Sequence, residues 1–216
     1  MSDLVYVDSV FSSHELLRLQ TFFDRFSYDV SCRLSKPMPV YREVTKAVTL
    51  QLGANKEIVD FDPPYRGGCE DIFKTAFTAL VKHGPESIIK KLVNQSYIHG
   101  GCRPMRYNLQ AGITNDGGGW HHDASDNSKF LNMIVSVNSA QGKWEGGNLE
   151  LGYQGLSKHS LDVLQPVTPA QYKENRGIIF NDFRTVHRVT PIKPLINSHR
   201  DILLLVIDYS EFDSKE

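Results

Sequence analysis

From Tyr97 to Tyr209 the chain is a succession of short apolar runs separated by Gly, Pro, Asn and Asp, and no helical apolar period interrupts it. Runs of this length and spacing bury their apolar sides by pairing as strands, so the stretch predicts a β-sandwich or jelly roll and not an alternating βα fold. The candidate strands are 105–111, 120–124, 130–138, 148–151, 161–164, 177–181, 186–190 and 202–208. The last of these, Ile202-Leu203-Leu204-Leu205-Val206-Ile207, is apolar on both faces, which predicts a central strand or one covered by helices. Asn115-Asp116-Gly117 is a hairpin-turn signal just ahead of the second candidate strand.

The residues before Tyr97 read differently. Leu4 to Val7 predicts a short strand, and Ser12 with Glu15 forms a capping box that opens a helix with Leu16, Leu19, Phe23 and Phe26 on one face. Residues 44–52 alternate as a strand, whereas 53–68, with Pro63-Pro64 and Gly67-Gly68, predict a long loop. Phe73, Ala76, Phe77 and Leu80 mark a second helix, and Gly84-Pro85 starts a third that runs to about Asn94 with Pro in its first turn. The expected architecture is mainly β with flanking helices (α+β), as one domain over 1–216: a helical support region over 1–96 and a jelly-roll core over 97–209.

Charge narrows the function classes. The 24 basic and 25 acidic residues leave no broad electrostatic footprint for nucleic acid, which ranks nucleic-acid demethylation low. The segment Met1 to Val10 has neither a basic leader nor a long apolar run, so no membrane span is expected and the cytoplasm is the default location. Cys32, Cys69 and Cys102 are odd in number and in no paired spacing, which predicts free thiols.

Metal-ligand residues cluster in Gly118-Gly119-Trp120-His121-His122-Asp123-Ala124-Ser125-Asp126. If this segment is extended, His121 and Asp123 converge on one face while His122 points away; a register shifted by one would pair His122 with Ala124, which has no ligand atom. Two imidazoles and one carboxylate on one face of a metal leave the opposite face open, the arrangement diagnostic of non-haem Fe(II) oxygenases. The second imidazole is expected from His187, in Thr185-Val186-His187-Arg188-Val189-Thr190-Pro191. His14, His83, His99 and His159 read as surface or satisfied core residues, Asp126 as a turn residue, and Trp120 and Trp144 as packing aromatics. Arg188 reads either as substrate-facing or as salt-bridged.

In order along the chain, Arg106-Tyr107, His121-His122-Asp123, Ser136-Val137-Asn138, the run from Trp144 to Leu151, Gly177-Ile178-Ile179-Phe180, His187 to Pro191 and Arg200 resemble the Fe(II)/2-oxoglutarate-dependent dioxygenases of the prolyl 4-hydroxylase-like branch. The resemblance covers about residues 97 to 209 and implies a double-stranded β-helix. It implies that His121, Asp123 and His187 hold Fe(II), that Arg200 pairs with the far carboxylate of 2-oxoglutarate, that Tyr107 donates to the same co-substrate, and that Asn132 lines the pocket. Arg200 lies 13 residues after His187, a few more than is usual, which leaves Lys193 as a competing carboxylate partner.

The implied activity uses O2 to hydroxylate an unactivated C–H bond, with release of succinate and CO2. A small molecule such as an amino acid or a natural-product intermediate is the first expectation for the substrate. A prolyl or other residue of a peptide or protein is the second. A cupin-like module that binds metal or ligand without turnover is the alternative from another class. Segments 53–68 and 152–176 are candidate lids.

Overall fold

The computed structural model describes residues 4–31, 46–62, 69–114, 119–123, 128–154, 163–166, 169–182 and 185–212. Strand β1 (Leu4–Asp8) leads into helix α1 (Ser13–Ser31), and strands β2 (Lys46–Leu52) and β3 (Ile58–Asp62) precede helices α2 (Glu70–His83) and α3 (Glu86–Leu92). Nine further strands follow: β4 (Ile98–Leu109), β5 (Phe130–Ser136), β6 (Trp144–Gly146), β7 (Leu149–Gln154), β8 (Val163–Pro166), β9 (Arg176–Asn181), β10 (Thr185–Val189), β11 (Ile192–Pro194) and β12 (Ser198–Asp208).

The capping box forms as its sequence requires. Ser12 N donates to Glu15 Oε2 at 2.9 Å and Glu15 N donates back to Ser12 Oγ at 3.3 Å, so two orphan donors of the first turn of α1 are satisfied. At α3 the proline is the residue before the helix and not part of its first turn, with φ −55° and ψ 126° at Pro85.

Seven strands form one antiparallel sheet in the order β1-β9-β5-β12-β4-β2-β3, with β12 in the middle, as its two apolar faces require. The odd-numbered Leu203, Leu205 and Ile207 turn to one face, where they join Phe23, Phe73, Phe77 and Ile89 of the three helices. On the other face Ile178 and Phe180 of β9 meet Leu149 and Leu151 of β7, and Leu109 of β4 meets Trp144 of β6 and Ile192 of β11. A three-stranded sheet, β10-β7-β8, and a two-stranded one, β11-β6, thus form the second layer of a jelly roll.

Several expectations need correcting. The region before residue 97 is not helical support alone, because β1, β2 and β3 extend the large sheet on both edges. The expected loop 53–68 contains β3, which pairs with β2; its burial pattern is mostly exposed, so the usual apolar alternation is weak there. The expected strand 120–124 is only a single bridge at His121 among its described residues. The three-residue strands β6 and β11 are too short to carry a period. The hairpin signal at 115–117 and residues 155–162 of the candidate lid lie outside the described residues, as do Cys32 and His159, while Cys69 and Cys102 are free and buried. Among the described residues no helix is long and apolar enough to cross a membrane.

Candidate metal and anion site

A backbone bridge brings the two expected histidines together. His121 N donates to His187 O at 3.0 Å and His187 N donates to His121 O at 2.9 Å, which pins the loop before β5 to strand β10. Their rings lie 4.3 Å apart, centroid to centroid. His121 Nε2 is 3.8 Å from Asp123 Oδ1 and His187 Nε2 is 3.6 Å from Asp123 Oδ2, and one ligand atom of each residue lies within 4.8 Å of the other two. His122 takes no part, its Nδ1 lying 3.1 Å from Asp182 O. The divergence expected of consecutive residues is therefore present even though no strand forms there.

Proton placement gives this trio its chemistry. His121 Nδ1 lies 2.7 Å from Gly119 O and His187 Nδ1 lies 3.4 Å from Asp182 Oδ1. The Gly119 carbonyl only accepts, so the short contact is made with the proton on His121 Nδ1, which leaves Nε2 toward Asp123; His187 Nδ1 and Asp182 Oδ1 face each other without a hydrogen bond among the described residues. Two imidazole Nε2 atoms and a carboxylate face one another, a set that could hold a cation. Adjacent ligands ~2.1 Å from one metal are ~3 Å apart, so Asp123 needs to close on each imidazole by less than ~1 Å and the widest separation in the trio, within 4.8 Å, by up to ~2 Å. Asn132, fully buried on β5, donates to Asp123 Oδ2 over 3.4 Å, while its own Oδ1 has no partner among the described residues.

A second feature lies where β12 runs beside β4. Arg200 is paired across the ladder with Tyr107, and Asp201 with Arg106. Alternation therefore sends one arginine to each face of the same strand pair. On the helix side Arg106 Nε and Nη2 each meet Asp201 at 2.7 Å, and Nη2 also reaches Asp24 of α1 at 2.8 Å, which neutralises that guanidinium. On the inner side Arg200, only 4% exposed, has no carboxylate partner among the described residues. Its Nη2 reaches Gly147 O at 3.4 Å and its Nε has no partner among the described residues. The guanidinium sits between Tyr107 and Tyr172, 5.5 and 5.0 Å from their ring centroids.

The walls around Arg200 are built by residues distant in sequence. Gly146 and Gly147 take left-handed φ values of +79° and +73°, and a Cβ on Gly146 would lie 2.0 Å from Pro191 O, so only glycine lets the turn between β6 and β7 pass so close to the chain entering β11. Trp144 packs edge-on against Tyr172, and its buried Nε1 has no partner among the described residues. Tyr172 is anchored through its hydroxyl, 2.8 Å from Asn138 Oδ1 and 2.9 Å from Asp201 O. Two buried donors, Arg200 Nε and Trp144 Nε1, thus flank one tyrosine with no acceptor among the described residues.

Burial raises the Tyr107 phenol above its ordinary pKa, the Arg200 and Arg103 cations oppose that, and the Asp123 carboxylate adds to it. Tyr107 therefore lies within electrostatic range of both Arg200 and Asp123. Its hydroxyl has Met105 Sδ, at 3.8 Å, as its hydrogen-bond neighbour among the described residues.

Of the sequence candidates, His121, Asp123, His187 and Asn132 come together at one end, and Arg200 and Tyr107 at the other. Lys193 does not join them: it is exposed on β11 and faces Glu145 at 3.7 Å. Arg188 is salt-bridged to Glu150 and stacks 4.6 Å over Trp120, which clamps the His121 bridge from outside. Tyr172 and Asp182 carry no sequence signal, because neither lies in a periodic or motif-like context, and Trp144 packs in the core with Leu109 and Ile192, as its sequence context suggests.

The sequence matches no protein-family model, and no curated protein matches it. Solved structures do match the fold. A prolyl-4-hydroxylase of Pseudomonas putida superposes with a TM-score of 0.53 at 11% identity, over 95% of this chain and 91% of that one. A prolyl hydroxylase of Trichoplax adhaerens, in complex with a peptide fragment of the hypoxia-inducible factor oxygen degradation domain, gives 0.55 at 14% identity over 100% and 89%. The Fe(II)/α-ketoglutarate-dependent dioxygenase TqaL gives 0.59 at 12% identity over 95% and 82%. The chain has the jelly-roll fold seen in these oxygenases.

Proposed function

We propose that this chain is an Fe(II)- and 2-oxoglutarate-dependent dioxygenase that hydroxylates an unactivated C–H bond and releases succinate and CO2. The observation that carries the reading is the convergence of His121, Asp123 and His187 in the same jelly roll as a buried guanidinium that has no counter-ion among the described residues. A buried cation left unpaired is costly, and an anion that enters its pocket relieves that cost. 2-Oxoglutarate has a carboxylate at each end, so one molecule meets both needs.

In this reading His121, Asp123 and His187 hold iron, which when bound supplies the activation of O2. Asn132 steadies the Asp123 carboxylate through the bond to Oδ2. Arg200 takes the far carboxylate through its forked donors, and Tyr107 and Trp144 are the additional donors for the same molecule. Tyr172 walls the pocket and keeps water from Arg200.

For the substrate we propose a small molecule such as an amino acid or a natural-product intermediate. The second reading, a residue of a peptide, is favoured by the full-length overlay on the peptide-bound Trichoplax adhaerens enzyme. Incubation of the iron-loaded protein with 2-oxoglutarate and O2 tests the class: succinate should form slowly alone and faster with the correct substrate. Metabolite and proline-peptide panels, scored by 2-oxoglutarate consumption, separate the two substrate readings. Binding of iron and 2-oxoglutarate with no succinate under any primer would instead establish the non-catalytic cupin-like module.

A further inference from the structure

The carboxylate of Asp182 is fully buried at the end of β9, and one of the groups facing it is a proposed metal ligand: His187 Nδ1 lies 3.4 Å from Asp182 Oδ1, and neither atom has a hydrogen-bond partner among the described residues, so a small turn of the imidazole joins them. Carboxylates are almost never buried this deeply unless they meet a cation or a strong donor. The backbone holds Asp182 in place from both sides. Its N donates to Phe130 O at 2.9 Å and its O lies 3.1 Å from His122 Nδ1. The preceding Asn181 is tied to Tyr209 Oη at 2.7 Å and, through its carbonyl, to Thr185 Oγ1 at 2.7 Å. Asp182 therefore approaches His187 from a rigid mount.

We propose that Asp182 is a positioning residue for the metal: its carboxylate accepts the Nδ1–H of His187, holds that imidazole with Nε2 turned to the ion, and raises its basicity. The inference rests on the metal reading of His121, Asp123 and His187. The two imidazoles are mounted unequally, since His121 is exposed with Nδ1 2.7 Å from a backbone carbonyl, whereas His187 is buried with Nδ1 facing a carboxylate. An anionic acceptor polarises an imidazole more than a neutral one does, so His187 is the stronger ligand of the pair. Asp123 is thus the carboxylate that would touch the ion, and Asp182 acts on it only through His187.

The test is direct titration with Co(II), read by visible absorption, so that no turnover is needed. Asp182→Asn keeps the shape and an acceptor oxygen but loses the charge, and should weaken Co(II) binding by about 10-fold; Asp182→Ala should approach about 100-fold. The Co(II) ligand-field bands of both variants should shift, and the melting temperature of metal-free Asp182→Asn should stay at the wild-type value. A charge-neutral variant that binds Co(II) within about twofold of wild type overturns the proposal. So does a loss of affinity matched by an equal loss of metal-free stability, which would make Asp182 a purely structural residue. Should Asp182→Ala fail to fold, Asp182→Asn decides alone. Failure of the wild-type protein to bind Co(II) is a different result, which removes the metal reading itself.

Discussion

Replacing Arg200 by Met should move ligand-free stability and ligand binding in different directions. In the ligand-free protein the guanidinium is buried with one long hydrogen bond and no carboxylate partner among the described residues. Its two stacked tyrosines return ~2 kcal/mol or less apiece. The desolvation of a buried ion costs several kcal/mol, so an apolar chain of similar length should be neutral or stabilising there. With 2-oxoglutarate present the balance reverses. Two charge-assisted hydrogen bonds to a carboxylate contribute ~1.5–3 kcal/mol each, of which even the lower sum, ~3 kcal/mol, is ~100-fold in affinity.

The assay is thermal unfolding of the Mn(II)-loaded protein with and without 2-oxoglutarate. At ~100 times the wild-type dissociation constant the ligand should stabilise the wild type by ~2.7 kcal/mol and the variant by only ~0.4 kcal/mol. At ~2–4 °C per kcal/mol for a chain of this size, those are shifts of ~5–11 °C and ~1–2 °C. A variant that melts well below wild type without ligand, yet keeps the full ligand-induced shift, would refute the reasoning. Arg200 would then be structural and the anion site would lie elsewhere.

Three further outcomes test the frame around the site. Asp201→Ala removes the buried carboxylate of Arg106, leaving the exposed Asp24 as its carboxylate partner among the described residues, and should cost ~3–5 kcal/mol in chemical denaturation, more than any surface ion pair. Gly146→Ala forces a Cβ into Pro191 O from a left-handed backbone that alone costs ~1–2 kcal/mol, so the melting temperature should fall and 2-oxoglutarate binding should weaken through the displaced Gly147 carbonyl. Burial, with the Arg106 cation adding to it, holds His199 below its ordinary pKa of 6.5. The unfolded chain then binds the proton more readily, so stability should decline as the pH falls through and below the ordinary value, and His199→Gln should flatten that part of the profile.

The alternation of apolar runs after Tyr97, the capping box at Ser12 and the His-x-Asp spacing are local properties, legible in the sequence without any fold. They were enough to expect a jelly roll, a central last strand and convergence of His121 with Asp123. A period over a few residues reports which side chains share a face, and this survives even where no strand forms, as at residues 120–123.

Only the tertiary structure decided which groups lack partners. Arg106 and Arg200 are the same residue type on paired strands, yet cross-strand register gives one of them Asp201 and Asp24 and leaves the other between two tyrosines, with no carboxylate among the described residues. Lys193 was excluded by its place on the outside of β11, and Tyr172 and Asp182 entered by packing against residues tens of positions away or across a turn. Whether a buried charge meets its counter-ion depends on three-dimensional register and not on any spacing along the chain. That is why the candidate ligands could be named from sequence and their surroundings could not.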